Sequence, residues 1–375
     1  APEGVEPKDN LTFEIPNWFE HVAAEHKNAR ENVVLIDQTS FCKFEVEGPG
    51  ALAFLNRLCA NQIDRPVGKI IYTQMCNQRG TIECDLTVGR LAEDRFFLVV
   101  GTAFGLHASW WIKNHMPSDG SVSFKEVTSA YAVVNVIGPK SRELLQKLTK
   151  ADLSNEKYPF GTCQHFTVGY APVMSWRVTY VGELGYELYI PTEFAVHVYE
   201  SLWEAGQDLG IKNAGYRTIS SLHLEKGYAD WGSELTPEYT PFDAGLGFCV
   251  ALDKEDFIGR DALARIKAEG PKWKLCTFTL ETTDPLMLQG SAPIVHGGKV
   301  IGVTSSAGYG HTLGKNICYG YISAEIASNR SMVRSTAPAN SAGGMPWGTI
   351  VLSASKILPH SRKTRFVVIT MEPDS

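Results

Sequence analysis

The chain has 375 residues, of which 44% are hydrophobic, 20% charged and 10% aromatic, an ordinary globular composition that excludes disorder driven by low hydropathy and high charge. Acidic residues number 41 and basic residues 35, a net charge of −6, and no block of Lys or Arg is present that could neutralise a run of phosphates, which excludes nucleic acid as a partner class. The longest apolar runs, such as Phe96 to Val100 and Phe248 to Leu252, fall far short of the ~20 residues a membrane helix needs.

At about 100 to 200 residues per domain, the length predicts two or three domains. The sequence opens at Ala1 without Met or an apolar leader, which predicts a processed chain or one cut from something longer. Phe44 to Glu47 reads as a strand, Gly48-Pro49-Gly50 as a turn, and Ala51 to Cys59 as a helix with Leu52, Leu55 and Leu58 on one side. Strands follow at Ile70 to Met75, Ile82 to Val88 and Phe96 to Val100, the first two separated by Asn77-Gln78-Arg79-Gly80. A helix is expected from about Phe104 to Asn114. Tyr131 to Ile137, Gly138-Pro139 and Ser141 to Leu148 then repeat the order strand, Gly-Pro turn, helix.

Met174 to Pro191 carries the clearest hairpin signal, two strand-like runs around Gly182-Glu183-Leu184-Gly185. With those four residues as the loop, Val181 pairs with Tyr186 and Tyr180 lies opposite Glu187, so phenol and carboxylate share one face. Helical spacing returns at Ala195 to Leu209 and Tyr216 to Lys226, and strands at Leu275 to Leu280, Lys299 to Thr304 and Ile317 to Ile322, which predicts a separate C-terminal β domain. Ile326 to Gly348 shows no periodicity, and strand character resumes at Thr349 to Leu352 and Arg365 to Thr370.

The eight cysteines, Cys42, Cys59, Cys76, Cys84, Cys163, Cys249, Cys276 and Cys318, include no pair at CxxC spacing, so no metal site is expected and a reducing compartment is. Gly308, Gly310 and Gly314 lie near a dinucleotide fingerprint, but the third glycine comes one residue late and β segments flank both sides. GxSxG, HExxH and GxxxxGKT do not occur.

In Thr81 to Val88 the apolar Ile82, Cys84, Leu86 and Val88 alternate with Glu83, Asp85 and Thr87. The two carboxylates then stand about 6.6 Å apart on one face of a strand, close enough for mutual repulsion to raise one pKa; a solvated strand face is the plain alternative. The same alternatives hold for Tyr180 and Glu187. Glu183 reads as turn chemistry, Arg217 and Glu225 as surface ions two helical turns apart, and Trp231 as either a stacking platform or core.

Taken together, Glu25-His26, Arg30, Ile36-Asp37, NQRGTIECDLTV, YVGELGYELYIP, YRTISSLHLEKGY and TPFDAGLGFCVALDKEDFIGRDAL strongly resemble the folate-dependent aminomethyltransferase family. That family includes the glycine-cleavage-system aminomethyltransferase and the C-terminal folate-binding parts of dimethylglycine and sarcosine dehydrogenases. The phrase LHLEKGYADWGSEL followed by TPFDAGL is closer to the dehydrogenase branch. The likeness runs in order from about Pro16 to Glu325.

The resemblance implies an α+β protein, a three-domain cloverleaf of two ferredoxin-like units and a C-terminal β-barrel around a central folate channel, with domains at about 1–160, 161–255 and 256–375. It implies transfer of an aminomethyl or iminium one-carbon unit to tetrahydrofolate, giving 5,10-methylenetetrahydrofolate, with a folate-dependent demethylase or a non-catalytic regulatory folate-binding protein as alternatives. Asp85 matches the catalytic carboxylate of the family, Tyr180 and Glu187 the pair that holds the pterin, and Tyr72 and Arg217 match pocket positions more loosely; Trp231 joins them as a candidate. No flavin or NAD is expected on this chain alone. The implied partners are a small-molecule amine or aminomethyl donor and a flavoprotein oxidase domain or carrier protein, in bacterial cytoplasm or mitochondrial matrix. Two departures stand out: Gly101 replaces an Asn that meets the pterin in the glycine-cleavage enzyme, and the segment after Tyr319-Gly-Tyr-Ile lacks the usual barrel-closing pattern. The chain beyond Glu325 is therefore expected to be less ordered.

Overall fold

The computed structural model describes residues 8–10, 12, 14–280, 282, 284–288, 290–296 and 298–328, with the backbone of 350–352, 357–358 and 366–368. The order expected of the chain beyond Glu325 otherwise concerns positions outside the described residues. Two compact units emerge, one from 28–213 and 229–273, the other from 1–27, 214–228 and 274–375.

The first unit is built on two sheets. One runs in the order Ile70–Cys76, Ile82–Arg90, Arg95–Val100, Cys42–Glu47, Ser123–Glu126. The other runs Lys212–Asn213, Val34–Asp37, Tyr131–Ile137, Gly185–Pro191, Ala171–Trp176, Cys163–Val168. Alternation decides what each face meets. In the first sheet Cys84, Leu86, Val88, Phe96 and Leu98 pack on Leu55 and Leu58 of the helix Ala51–Leu58 and on Ala108 and Ile112 of Gly105–Asn114. In the second, Val134, Val136, Leu188 and Ile190 pack on Leu144 and Leu145 of Ser141–Gln146 and on Val198 and Leu202 of Ala195–Ala205.

The opposite faces of the two sheets pack on each other. Phe97 stands edge-on to Trp176 and Tyr189, with centroids at 5.9 and 5.4 Å, and Val133 and Met174 complete the cluster. The unit is therefore layered as helices, sheet, sheet, helices. Gly89 sets the approach of the sheets, since a Cβ there would come within 2.6 Å of the Trp176 ring.

The hairpin Ile70–Cys76 to Ile82–Arg90 forms as its turn chemistry predicts. Asn77 Oδ1 accepts from the Arg79 amide at 2.9 Å, and Gly80 sits at φ +81°. The second expected hairpin is corrected. Glu187 pairs with Trp176, Leu188 with Ser175 and Tyr189 with Met174, so the loop covers 177–184 and Tyr180 is not opposite Glu187. After Trp176 the chain turns away because Arg177 continues pairing with its other neighbour: its amide donates to Thr162 and its carbonyl accepts from Gly161, 3.0 and 2.9 Å. The loop is then fastened by Arg30, whose Nη1 donates to the Val181 carbonyl at 2.7 Å and to Glu183 at 2.9 Å. Glu183 is thus an ion-pair partner rather than turn chemistry alone.

The second unit carries the strands Trp273–Thr279, Pro293–His296, Lys299–Gly310 and Lys315–Ser323 in one sheet with Ile350–Leu352, Ile357–Leu358 and Phe366–Val368. Its strand order is open, and no closed barrel is formed among the described residues. The helix Tyr216–Leu224 joins it: Leu224 packs on Ile317 and Tyr319, and the Tyr319 hydroxyl lies 3.0 Å from the His223 carbonyl and 2.9 Å from that of Leu224. Glu225 is 8% exposed and so is not a surface ion. Its Oε1 accepts from the Thr312 amide at 2.8 Å, and its Oε2 lies 3.2 Å from His26 Nε2. His26, with no exposed surface, also meets Ser221 Oγ at 2.5 Å and Thr312 Oγ1 at 2.8 Å. The Gly308 to Gly314 segment is the end and turn of a β-hairpin. Cys249 is buried and Cys276 partly so. No helix among the described residues is long and apolar enough to cross a membrane.

Candidate functional site

The strand Ile82–Arg90 sends Cys84, Leu86 and Val88 to its helices and turns Asp85, Thr87 and Gly89 toward the other sheet. Antiparallel pairing sets Gln74 opposite Asp85 and Tyr72 opposite Thr87, so Tyr72, Gln74 and Asp85 share that face. On the second sheet Tyr186, Leu188 and Ile190 go to the helices, and Glu187 and Tyr189 turn inward. The alternation therefore delivers both candidate carboxylates, each half-buried, to the layer between the sheets.

Asp85 is held by its neighbours on the adjoining strand. Gln74 Nε2 donates to its Oδ1 at 2.8 Å, and the Tyr72 hydroxyl bonds to the same carboxylate. Burial pushes the Asp85 pKa up to about 6, the bonds from Tyr72 and Gln74 oppose the rise, and the nearby Asp230 carboxylate adds to it. Repulsion from Glu83, expected from the spacing, is not the cause. Glu83 Oε1 accepts from Asn77 Nδ2 at 2.7 Å, and Oε2 lies 3.5 Å from His107. Asp230 is itself raised to about 6, by burial and then by Glu234.

Tyr72 is pushed well above the ordinary phenol value, by burial first and then by Asp85, with Cys249 and Tyr180 contributing. Tyr180 thus reaches this neighbourhood from the 177–184 loop. Its hydroxyl donates to the Ala229 carbonyl at 3.0 Å, next to Asp230 and Trp231. Trp231 is half-buried, edge-on to Phe104 at 5.9 Å and packed with Ile82, Leu235 and Ala244, which makes it part of a small core as well as a neighbour of Asp230.

Glu187 is raised to about 7 by burial, against the opposing pull of the Tyr189 hydroxyl, which donates to Oε2 at 2.7 Å. Its cross-strand neighbour Asn135 bonds Gln38 through Nδ2 at 2.6 Å. Arg217 belongs to the other unit, where its guanidinium lies over Trp18 at 4.5 Å and pairs with Asp9. Gly101 precedes a short 3-10 turn, and a Cβ there would meet only Phe104, at 3.6 Å.

Gln74, Asp230 and Tyr189 are functional candidates that no sequence motif marks. Gln74 had a partial signal: it is a long polar side chain in the strand run IIYTQMC, but its place opposite Asp85 depends on a register shift between Met75 and Cys76 that the turn residues do not announce. Tyr189 had one too, two residues from Glu187 on the same face. Asp230 had none, since a loop brings it in. Chemically the layer offers acceptors, Asp85, Asp230 and Glu187, with pKa values close enough to neutrality for proton exchange.

Comparison with known proteins gives the class to which this fold belongs. The GCVT N-terminal domain matches residues 3–254, and the glycine cleavage T-protein C-terminal barrel domain matches 274–337. The chain belongs to this glycine cleavage T-protein family. It is 40% identical over 317 residues to the 4-methylaminobutanoate oxidase (formaldehyde-forming) of Paenarthrobacter nicotinovorans, covering 84% of this chain and 38% of that protein. It is 39% identical to the mitochondrial pyruvate dehydrogenase phosphatase regulatory subunit of Mus musculus, covering 84% and 37%, and 36% identical to mitochondrial dimethylglycine dehydrogenase of Homo sapiens, covering 84% and 36%. The chain thus spans less than two-fifths of these relatives. The crystal structure of glycine cleavage system aminomethyltransferase T from Bartonella henselae shares the fold, with a TM-score of 0.73 at 24% identity over 85% of this chain and 87% of that one.

Proposed function

We propose that the chain binds tetrahydrofolate between its two sheets and accepts a one-carbon unit onto it from an aminomethyl or iminium donor, yielding 5,10-methylenetetrahydrofolate. One observation carries the reading: Asp85, a half-buried carboxylate raised to about 6 and oriented by Tyr72 and Gln74, lies in the same inter-sheet layer as Glu187. The residues present fit a reduced pterin. Glu187 uses one oxygen for Tyr189 among the described residues, which leaves the other to accept from the N–H edge of the ring, and a carboxylate accepts such paired donors well. Tetrahydrofolate supplies the ring nitrogens that take the carbon.

The residues of the chain do the rest. Glu187 and Tyr180 hold and orient the pterin, Tyr72 and Trp231 wall the site, and Asp85 faces the reacting carbon. A carboxylate about 4 Å from a cationic donor is worth about 4 kcal/mol at an effective dielectric near 20, and it accelerates the step to the extent that this acts on the transition state. Asp85 at about 6 is mostly ionised at neutral pH yet able to accept a proton. The closed barrel and the three-domain division belong to this reading. So does a flavoprotein partner or fused domain for amine oxidation, since the dehydrogenase and oxidase relatives are much longer than this chain.

The regulatory-subunit relative favours a second reading, folate binding without turnover, and one experiment separates the two. The chain is incubated with tetrahydrofolate and formaldehyde, or with dimethylglycine, sarcosine or an aminomethylated carrier protein, and methylenetetrahydrofolate is followed. Turnover with at least one donor is expected. Asp85→Asn should keep tetrahydrofolate affinity within severalfold while turnover falls by about 100-fold or more, the scale of a positioned acid or base. Binding without turnover on any donor selects the regulatory reading, and equal turnover in Asp85→Asn removes that residue from the chemistry.

A further inference from the structure

We propose that Gln74 makes the site selective for the reduced pterin, its buried amide oxygen accepting from a ring N–H that the oxidised ring does not carry. The inference rests on the folate reading and deepens it.

Gln74 has no exposed surface. Its Nε2 donates to Asp85 Oδ1 at 2.8 Å, while its Oε1 is buried and has no hydrogen-bond partner among the described residues. The amide cannot be turned over to relieve this, because Oε1 would then face the carboxylate oxygen, acceptor against acceptor. Asp85 therefore fixes which end of the amide is left open. An unpaired buried acceptor carries its full desolvation cost, and a native structure that keeps one calls for an explanation. The buried polar neighbour Thr73 is by contrast satisfied, its hydroxyl bonding the Asn61 amide and the Gln74 carbonyl.

What is missing is a donor beside Asp85. In a tetrahydropterin N5 and N8 each bear hydrogen; in the oxidised pterin both are bare acceptors. A bare nitrogen facing Gln74 Oε1 leaves two acceptors opposed in a dry layer, and a site built to pair a donor rejects an analogue lacking it far more strongly than one that differs by a methylene. The oxidised ring keeps donors only along its N3–H and 2-amino edge, which the proposed function assigns to Glu187, so with that edge held the side toward Gln74 and Asp85 offers none. Gln74 is thus a specificity-determining residue that reads the oxidation level of the ring, one amide width from the carboxylate that faces the chemistry.

The test is calorimetric titration of the full chain with tetrahydrofolate, folic acid, 5-deazatetrahydrofolate and 8-deazatetrahydrofolate, the last two lacking one ring N–H each. The wild type should bind tetrahydrofolate at least tenfold tighter than folic acid and than one of the deaza analogues. In Gln74→Leu the ratio to folic acid should shrink below threefold, through weaker tetrahydrofolate binding with folic acid changed little. A wild type that binds tetrahydrofolate while Gln74→Leu keeps the full ratio overturns this inference and leaves the folate reading standing. A wild type that binds no tetrahydrofolate overturns the folate reading itself. Should Gln74→Leu fail to fold, the deaza analogues decide on the wild type alone, and equal affinity for all three reduced ligands overturns the proposal.

Discussion

Asp85 and Glu187 each exchange water for a half-buried place between sheets, and each is left with a pKa above its ordinary value, at about 6 and about 7 against 3.8 and 4.5. For an acid, a raised folded pKa means that the folded state holds the proton more tightly than the unfolded chain. Between about pH 4 and pH 7 the folded protein therefore binds more protons, and stability falls as pH rises through that window, levelling above it. Both carboxylates thus oppose folding at the pH where the protein would work, as expected of groups kept for chemistry rather than for packing. Urea unfolding at pH 5 and pH 8 should show the wild type less stable at pH 8, and Asp85→Asn with Glu187→Gln should flatten the difference. An equal drop in the double variant would mean that the two groups are solvated. Lys43 and Lys254 are depressed to about 8 by burial, and they act only at higher pH, where their deprotonation favours the fold.

At the scale of elements, the site depends on how closely the two sheets approach, and Gly89 governs that distance. It lies on the inner face of the Asp85 strand, and a Cβ there would intrude to 2.6 Å of Trp176, itself fully buried against Phe97 and Tyr189. Trp176 is also the cross-strand partner of Glu187, so a displacement at Gly89 reaches both carboxylates. Gly89→Ala should cost about 1–3 kcal/mol in urea unfolding, the usual penalty of overpacking a filled core, and should weaken tetrahydrofolate binding; unchanged stability would mean that the sheets part without strain. The elements themselves were legible, because strands such as Ile82–Arg90 and helices such as Ala51–Leu58 announce their buried face by period. The same alternation marks Asp85 within Thr81 to Val88, whereas Glu187 is singled out through an assumed pairing with Tyr180 that the register replaces with Trp176. Pairing between strands was less legible. The glycines at 182 and 185 suggest a tight loop, but Arg177 and Arg30 bind to Gly161, Thr162, Val181 and Glu183 and draw eight residues out of the hairpin. Those contacts join positions far apart in the chain and leave no mark in a local pattern. Glu225 was misjudged in the same way, since its partners His26, Thr312 and Leu313 lie about 90 to 200 residues from it, beyond any helical spacing.

At the scale of the whole molecule, the order of the chain and the division into units do not coincide. The chain passes from one unit to the other after residues 27, 213, 228 and 273, so neither unit is a continuous stretch. The helix Tyr216–Leu224 is the critical insertion. It lies within the stretch that carries the carboxylate site, yet Leu224 packs on Ile317 and Tyr319, Ser221 meets His26, and Glu225 takes the amides of Thr312 and Leu313. A fragment 28–273 retains every residue of the two site-bearing sheets but strips this helix of all those partners. Its apolar Ile219, Leu222 and Leu224, buried in the full chain, would then face water, and Glu225 would lose the donors that hold it. Exposed apolar surface of that kind drives dye binding and association. The fragment should therefore bind a hydrophobic dye such as ANS and should melt below the full chain, whereas the same fragment with 214–228 replaced by a short Gly/Ser linker should bind less dye. Equal melting temperatures and no dye binding for fragment 28–273 would show that the helix is an independent element, and that the C-terminal sheet could be removed without cost to the unit that carries Asp85 and Glu187.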